Sequence, residues 1–167
     1  MKLTSTIINS KFNFLIKKIN FLKKKEKLKI TNLDENSTPV TIEQIGITSF
    51  GDGVVILKTE EGLKFPISSF SAEVAKSISD FKEGVLQSTP SIYNMLENIC
   101  ENTGLVLVKV KIYDNGKALR ANLYFTGRKD LVLRNYRASD ALALAAFYSI
   151  PILIKKDLLK QSPKIDS

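Results

Sequence analysis

The run Arg137-Ala-Ser-Asp-Ala-Leu-Ala-Leu-Ala145 brings charged groups to the start of a helix. Ser139 is expected to cap that helix, and Asp140 falls in its first turn, where a carboxylate meets the positive end of the macrodipole. Arg137 stands just before the cap, near enough in sequence to share a site with Asp140. A guanidinium and a carboxylate so placed, if open to solvent, would receive a phosphodiester. The same pattern also describes a well-capped core helix with an incidental ion pair.

All four arginines fall in one short stretch: Arg120, Arg128, Arg134 and Arg137. Every other basic residue is lysine. The planar guanidinium fork suits phosphate or carboxylate recognition. Alternation puts Arg120 and Arg134 on strand faces opposite the apolar set, and Arg128 sits at a turn with Lys129. Either these side chains line one anionic groove near the helix start, or they are exposed strand residues or intersubunit ion pairs. With no histidine in the chain, mechanisms that use a histidine general base are excluded. The single cysteine, Cys100, cannot build a zinc site or an intrachain disulfide, and its place in an amphipathic helical pattern reads as a small core residue. A divalent metal would have to come from acids such as Glu73, Asp130 and Asp140. None of them has a tight metal-binding spacing, and each also reads as an ordinary helix or turn acid.

The elements that would position these groups follow from periodicity. Val40 to Phe50 alternates as a half-buried strand does, Gly51-Asp-Gly53 turns, Val54 to Lys58 returns, and Leu63 to Ile67 completes a meander. Ser71 is expected to cap a helix through Phe81, with Glu73 in its first turn. Thr89-Pro90 marks a second helix start, and Gly104 ends that helix. Leu105 to Tyr113 alternates, Asp114-Asn-Gly116 makes a hairpin turn, and Leu119 to Phe125 supplies a matching apolar face. Leu131 to Asn135 is a further strand, followed by the Ser139 helix, a short strand at Pro151 to Ile154 and a helix from Lys155 to Gln161. The expected class is α+β. A mostly antiparallel sheet would be built from two halves, each a strand meander plus a helix, with the helices packed on the sheet.

Charge divides the chain. Residues 1–30 hold nine lysines and one acid, Glu26, whereas residues 31–167 hold sixteen basic and sixteen acidic residues. The net charge of +8 therefore belongs to an N-terminal arm. In that arm Phe12, Leu15, Ile16, Ile19 and Leu22 recur at helical spacing among the lysines. The pattern fits a solvated helix, contact with nucleic-acid phosphates or a membrane surface, or a targeting segment. Thr31 to Pro39 is polar and reads as a linker. The organisation expected is a basic arm and linker over 1–38, a domain over 39–162 and a tail over 163–167. The longest apolar run, Ala141 to Ile154, is interrupted by Ser149 and Pro151. As helix it would reach only about 21 Å, short of a bilayer core. The start does not read as a secretory signal, and a single cysteine fits a reducing, cytoplasmic setting.

The segment RASDALALAAFYSIPILIKKDLL resembles the end of the bifunctional nuclease domain family, in which an Arg-Pro-Ser-Asp-Ala run leads into an apolar helix and a Pro-led strand. The resemblance extends back through VVILKTEEGLKFPI and PSIYNMLENICENTGLVLVKVKIYDNGKALRANLYF, and covers roughly Val40 to Gln161. It implies hydrolysis of phosphodiester bonds in DNA or RNA, assisted by magnesium or manganese, in a homo-oligomer. Asp140 and Glu73 would be the catalytic or metal-binding carboxylates, and Arg137, Arg134, Arg128 and Ser139 would bind substrate. The chain departs from the family wording in places. Gly-Pro-Phe-Glu-Ala reads Ser68-Ser-Phe-Ser-Ala72 here, and Pro-x-Thr-His-Asp reads Pro90-Ser-Ile-Tyr-Asn94, so a glutamate has become Ser71, a histidine Tyr93 and an aspartate Asn94. Those losses leave open an alternative: a non-catalytic oligomeric module that binds nucleic acid or regulates.

Overall fold

The computed structural model describes residues 36–85 and 89–160; the lysine-rich arm and the C-terminal tail lie outside the described residues. Among the described residues the first three strands are β1 (Ser37–Ile47), β2 (Asp52–Thr59) and β3 (Lys64–Ser71). Helices α1 (Ala72–Glu83) and α2 (Ile92–Thr103) follow. Then come β4 (Val106–Asp114), β5 (Leu119–Thr126) and β6 (Leu131–Arg137), helix α3 (Ala138–Tyr148), strand β7 (Ile152–Lys155) and helix α4 (Lys156–Lys160).

The seven strands form one sheet in the order β3-β2-β1-β7-β4-β5-β6. Antiparallel pairing runs through β1–β2, β2–β3, β4–β5, β5–β6 and β1–β7, but β7 lies parallel to β4 with Val110 opposite Ile152 and Ile112 opposite Ile154. The sheet is therefore mixed, which corrects the mostly antiparallel expectation. The cause is α3. A helical crossover returns the chain in its original direction, so β7 runs with β6 and β4 rather than against its neighbour as a hairpin would.

The core lies between one face of this sheet and the helices. Val55, Leu57, Leu107, Val110, Ile112, Ala121 and Ile154 point inward from the strands and are essentially unexposed, as are Ile78 of α1 and Leu142 of α3. α3 is apolar around most of its circumference. Ala138, Ala141, Leu142, Ala143 and Ala145 are all buried, because the sheet lies beneath the helix and α1 beside it. Alanine permits that close approach. Gly53 is required for a related reason: a Cβ there would come within 2.5 Å of the Phe70 ring.

Local signals set several ends as expected. Ser71 is the N-cap of α1, its hydroxyl accepting from Val74 N at 3.3 Å, and Gly104 ends α2 in the left-handed region at φ 69°. Two starts differ. α2 begins after Ser91, two residues later than the Thr89-Pro90 signal suggested. There Asn94 Oδ1 accepts from Ser91 N and from Ser91 Oγ, each at 3.0 Å. α3 is entered from Arg137, so Ser139 is not its cap: it is the second helical residue and 5% exposed. Strand pairing of β6 continues through Arg137, opposite Arg120, and leaves no turn in which Ser139 could stand outside the helix. Both strands that feed a buried-face helix carry a left-handed residue two positions before the helix N-cap, Ser69 (φ 63°) in β3 and Asn135 (φ 67°) in β6, each at a register shift. Such bulges kink a strand and re-aim the chain beyond them.

Candidate functional site

α1 and α3 pack against each other, and α2 crosses the same side of the sheet. Their first turns and the α2 entrance enclose an open cleft of about 820 Å³, lined on α1 by Glu73, Val74 and Ser77 and on α3 by Asp140 and Leu144. The α2 side is contributed by Thr89 to Tyr93 and by Met95, Leu96 and Ile99. The cleft thus brings together the two carboxylates that the sequence singled out. Glu73 and Asp140 are 67 positions apart in sequence and each occupies a helix first turn, where backbone N–H groups favour negative charge.

Tyr93 adds a phenol to this cleft beside the hydroxyls of Ser77, Thr89 and Ser91, and in the sequence it stands out only as a departure from family wording. Its ring is held by Phe81 of α1 at 4.9 Å and Phe147 of α3 at 5.9 Å, with Phe81 and Phe147 5.0 Å apart, so one aromatic cluster ties the three helices together. The phenol shares a hydrogen bond with Ser77. Burial above all, and then the Asp140 carboxylate with a smaller contribution from Glu73, pushes its pKa above the ordinary tyrosine value. Tyr93 therefore stays protonated across the physiological range and offers a donor in the cleft. The signal that would have found it is the α2 pattern itself, in which Tyr93 and Leu96 share the helix face turned to α1 and α3.

The arginines go elsewhere. None of the four lines the cleft. Arg137 is exposed at the end of β6, in register with Arg120 of β5, and no ion pair joins it to Asp140 among the described residues. Arg128 is exposed in the β5–β6 turn and Arg134 is exposed on β6. Ser139 is buried in the helix interior. Asp130 is committed to the same turn, where its Oδ1 accepts from Thr126 Oγ1 at 2.9 Å. Cys100 is buried, and burial raises its thiol pKa, which is the reverse of what a reactive thiolate needs. Among the described residues no group of three or more Cys, Asp or Glu side chains is gathered as a metal cage.

A mixed α+β sheet with three helices meeting over one face, and two helix-borne carboxylates at a shared cleft, defines the class of the domain. The chain belongs to the bifunctional nuclease domain family, which matches residues 55–166. Comparison with curated proteins finds no match. The matched span begins inside β2 and includes Glu73, Tyr93 and Asp140.

Proposed function

We propose that this domain hydrolyses phosphodiester bonds in nucleic acid from the Glu73–Asp140 cleft. The observation that carries the reading is the convergence of those two carboxylates, from two separate helices, beside the protonated Tyr93 phenol. In this reading one carboxylate accepts a proton from the attacking water as its oxygen bonds to phosphorus, and Tyr93 donates a hydrogen bond to a phosphoryl oxygen as charge develops on it; the P–O bond to the departing sugar oxygen breaks, and that oxygen takes a proton from solvent. The donor set also suits a hard divalent ion. Glu73 and Asp140 would hold magnesium or manganese, with water and phosphate oxygens completing the shell, which is how magnesium is commonly bound. Such an ion would supply charge neutralisation at the phosphate. Val74, Leu96 and Leu144 give the cleft an apolar wall beside these groups.

On the same reading the sheet comprises two related halves, β1–β3 with α1 and β4–β6 with α3. The bulge and left-handed residue that precede both helices support it. A cytoplasmic setting and self-association belong to the proposal too; light scattering of the full chain tests the latter, and a monomer mass would overturn it. Incubation of pure protein with labelled single-stranded DNA and RNA, with magnesium or manganese against a chelator control, tests the reading. Cleavage that depends on the metal is expected, and no cleavage under any condition overturns it. A binding module without catalysis is the second reading. It is favoured by the absence of a third acid or a histidine in the cleft among the described residues, and binding without cleavage in the same assay would select it.

A further inference from the structure

The sheet face turned away from the helices carries its own constellation. Register aligns Tyr113 of β4 with Arg120 of β5, and Arg120 with Arg137 of β6. Four residues further along each of β4 and β5, Lys109 lies opposite Tyr124, and Tyr124 in turn lies opposite Val132. Lys109 Nζ stands 5.0 Å from the centroid of the Tyr124 ring. Arg134 and Asn135 form the β6 bulge opposite Asn122, between the inward pairs Leu123–Leu133 and Ala121–Tyr136, which puts Arg134 on this same face between the two rows. Three of the chain's four arginines therefore share one side of two adjacent strands, interleaved with two tyrosines on neighbouring strands.

Among the described residues no carboxylate forms an ion pair with Arg120, Arg134 or Arg137. No outward position of β4, β5 or β6 is an acid. The nearest carboxylates close turns at its two ends, Asp114 accepting from Gly116 N at 2.7 Å and Asp130 from Thr126 Oγ1 at 2.9 Å. Arg120 Nε is buried without a hydrogen-bond partner. Two guanidinium groups directly opposite each other on one face repel, and such pairs destabilise a sheet. An arrangement that raises the local field and leaves a donor unused is one that a bound anion would relieve.

We propose that this face binds single-stranded nucleic acid, independently of the cleft on the opposite side. Outward residues repeat about every 7 Å along a strand, and neighbouring strands lie about 5 Å apart. Arg120, Arg134 and Arg137 take consecutive phosphates, while unpaired bases stack on Tyr113 and on Tyr124, from which the flexible Lys109 head swings to a phosphate. Stacking selects single strands, because a duplex keeps its base faces covered. The cations and rings are spread over three strands, which suits an extended strand rather than a small anion.

The test uses the full chain in chelator, so that strand cleavage cannot contribute. Binding of labelled oligo-dT and oligo-U is followed by anisotropy over a salt series, and tyrosine emission is recorded in parallel, since the chain has no tryptophan. The expected result for Arg134→Gln combined with Arg137→Gln is at least tenfold weaker binding and a salt slope about 1.4 shallower, at about 0.7 for each phosphate no longer neutralised on a single strand. Tyr124→Leu is expected to weaken binding severalfold and to remove part of the quenching that bound strand produces. Circular dichroism verifies that each variant is folded, and the tyrosine variant stands alone if the arginine pair disturbs the start of α3. Wild-type affinity and slope in both variants overturns the proposal. So does equal affinity for blunt duplex of the same length.

Discussion

The two three-strand regions of the sheet treat their outward cations differently. On β1–β3, Lys58 and Lys64 both reach Glu43, at 3.0 and 3.1 Å, and their charge is spent on joining three strands. On β4–β6, Arg120, Arg134 and Arg137 share a face with no acid of their own. The helices differ in the opposite sense. α1, beneath the neutralised half, has a side-chain cap and an exposed flank, whereas α3, beneath the arginine-rich half, has no side-chain cap and is held by burial. Charge that is paired within the fold stabilises it locally. Charge left unpaired must be carried by a half whose stability comes from packing.

Each contrast between the halves has a variant that would undo it. The strongest response is expected at the cleft between them: Asp140→Asn should lower phosphodiester cleavage at least about 100-fold, the usual scale for removal of a general base, while leaving binding of single strands in chelator in place. Unchanged turnover would detach Asp140 from the chemistry. Next, Leu142→Ala should destabilise the domain by about 2–5 kcal/mol in denaturant unfolding, because truncating a fully buried side chain leaves a cavity between α3 and the sheet. A change below about 1 kcal/mol would deny α3 the packing role assigned to it.

Milder substitutions separate the helix starts. Ser71→Ala should cost about 1 kcal/mol through removal of the cap, and Ser139→Ala less than that, since the Ser139 hydroxyl caps nothing. Equal costs would erase the distinction between the starts of α1 and α3. The weakest response concerns acid. Lys58 first, and Lys64 with it, hold the Glu43 carboxyl below its ordinary value. A depressed carboxylate pKa contributes stability that is fully present above the ordinary value of 4.5 and is lost as pH falls through the lowered one. Glu43→Gln should therefore flatten the acid limb of the melting profile slightly and leave neutral pH nearly untouched. A variant whose acid limb matches the wild type would mean that these ion pairs are solvent-screened and structurally idle.

Local chemistry made much of this fold legible. The Ser71 cap, the Gly104 stop, the Asp114-Asn-Gly116 turn and the inward Val110 and Ile112 all depend on neighbours a few residues away, and pattern reports those neighbours directly. The same alternation sets Val106 and Val108 beside them, but the register shift between Leu107 and Lys109 turns Leu107 inward instead. The parallel seating of β7 was not legible, because a four-residue strand carries no record of which distant edge it will join. Nor was the separation of Arg137 from Asp140. Three positions look adjacent in sequence, but the strand continues through Arg137 and the chain turns inward immediately afterwards, so one residue belongs to the outer face and the other to the cleft. Glu73 and Asp140 are legible as first-turn acids of two helices, but spacing does not bring them together. Their convergence is produced by the packing of α1 on α3, and sequence periodicity describes such elements only one at a time.

The short strand β7 is inserted between β1 and β4, although it is synthesised after both. On the ribosome, two three-strand ribbons must therefore wait with their inner borders unsatisfied until Ile152–Lys155 emerges and zips them together. Unpaired borders of this kind recruit strands from other chains, so the nascent molecule is most vulnerable to aggregation in the interval before that tetrapeptide arrives.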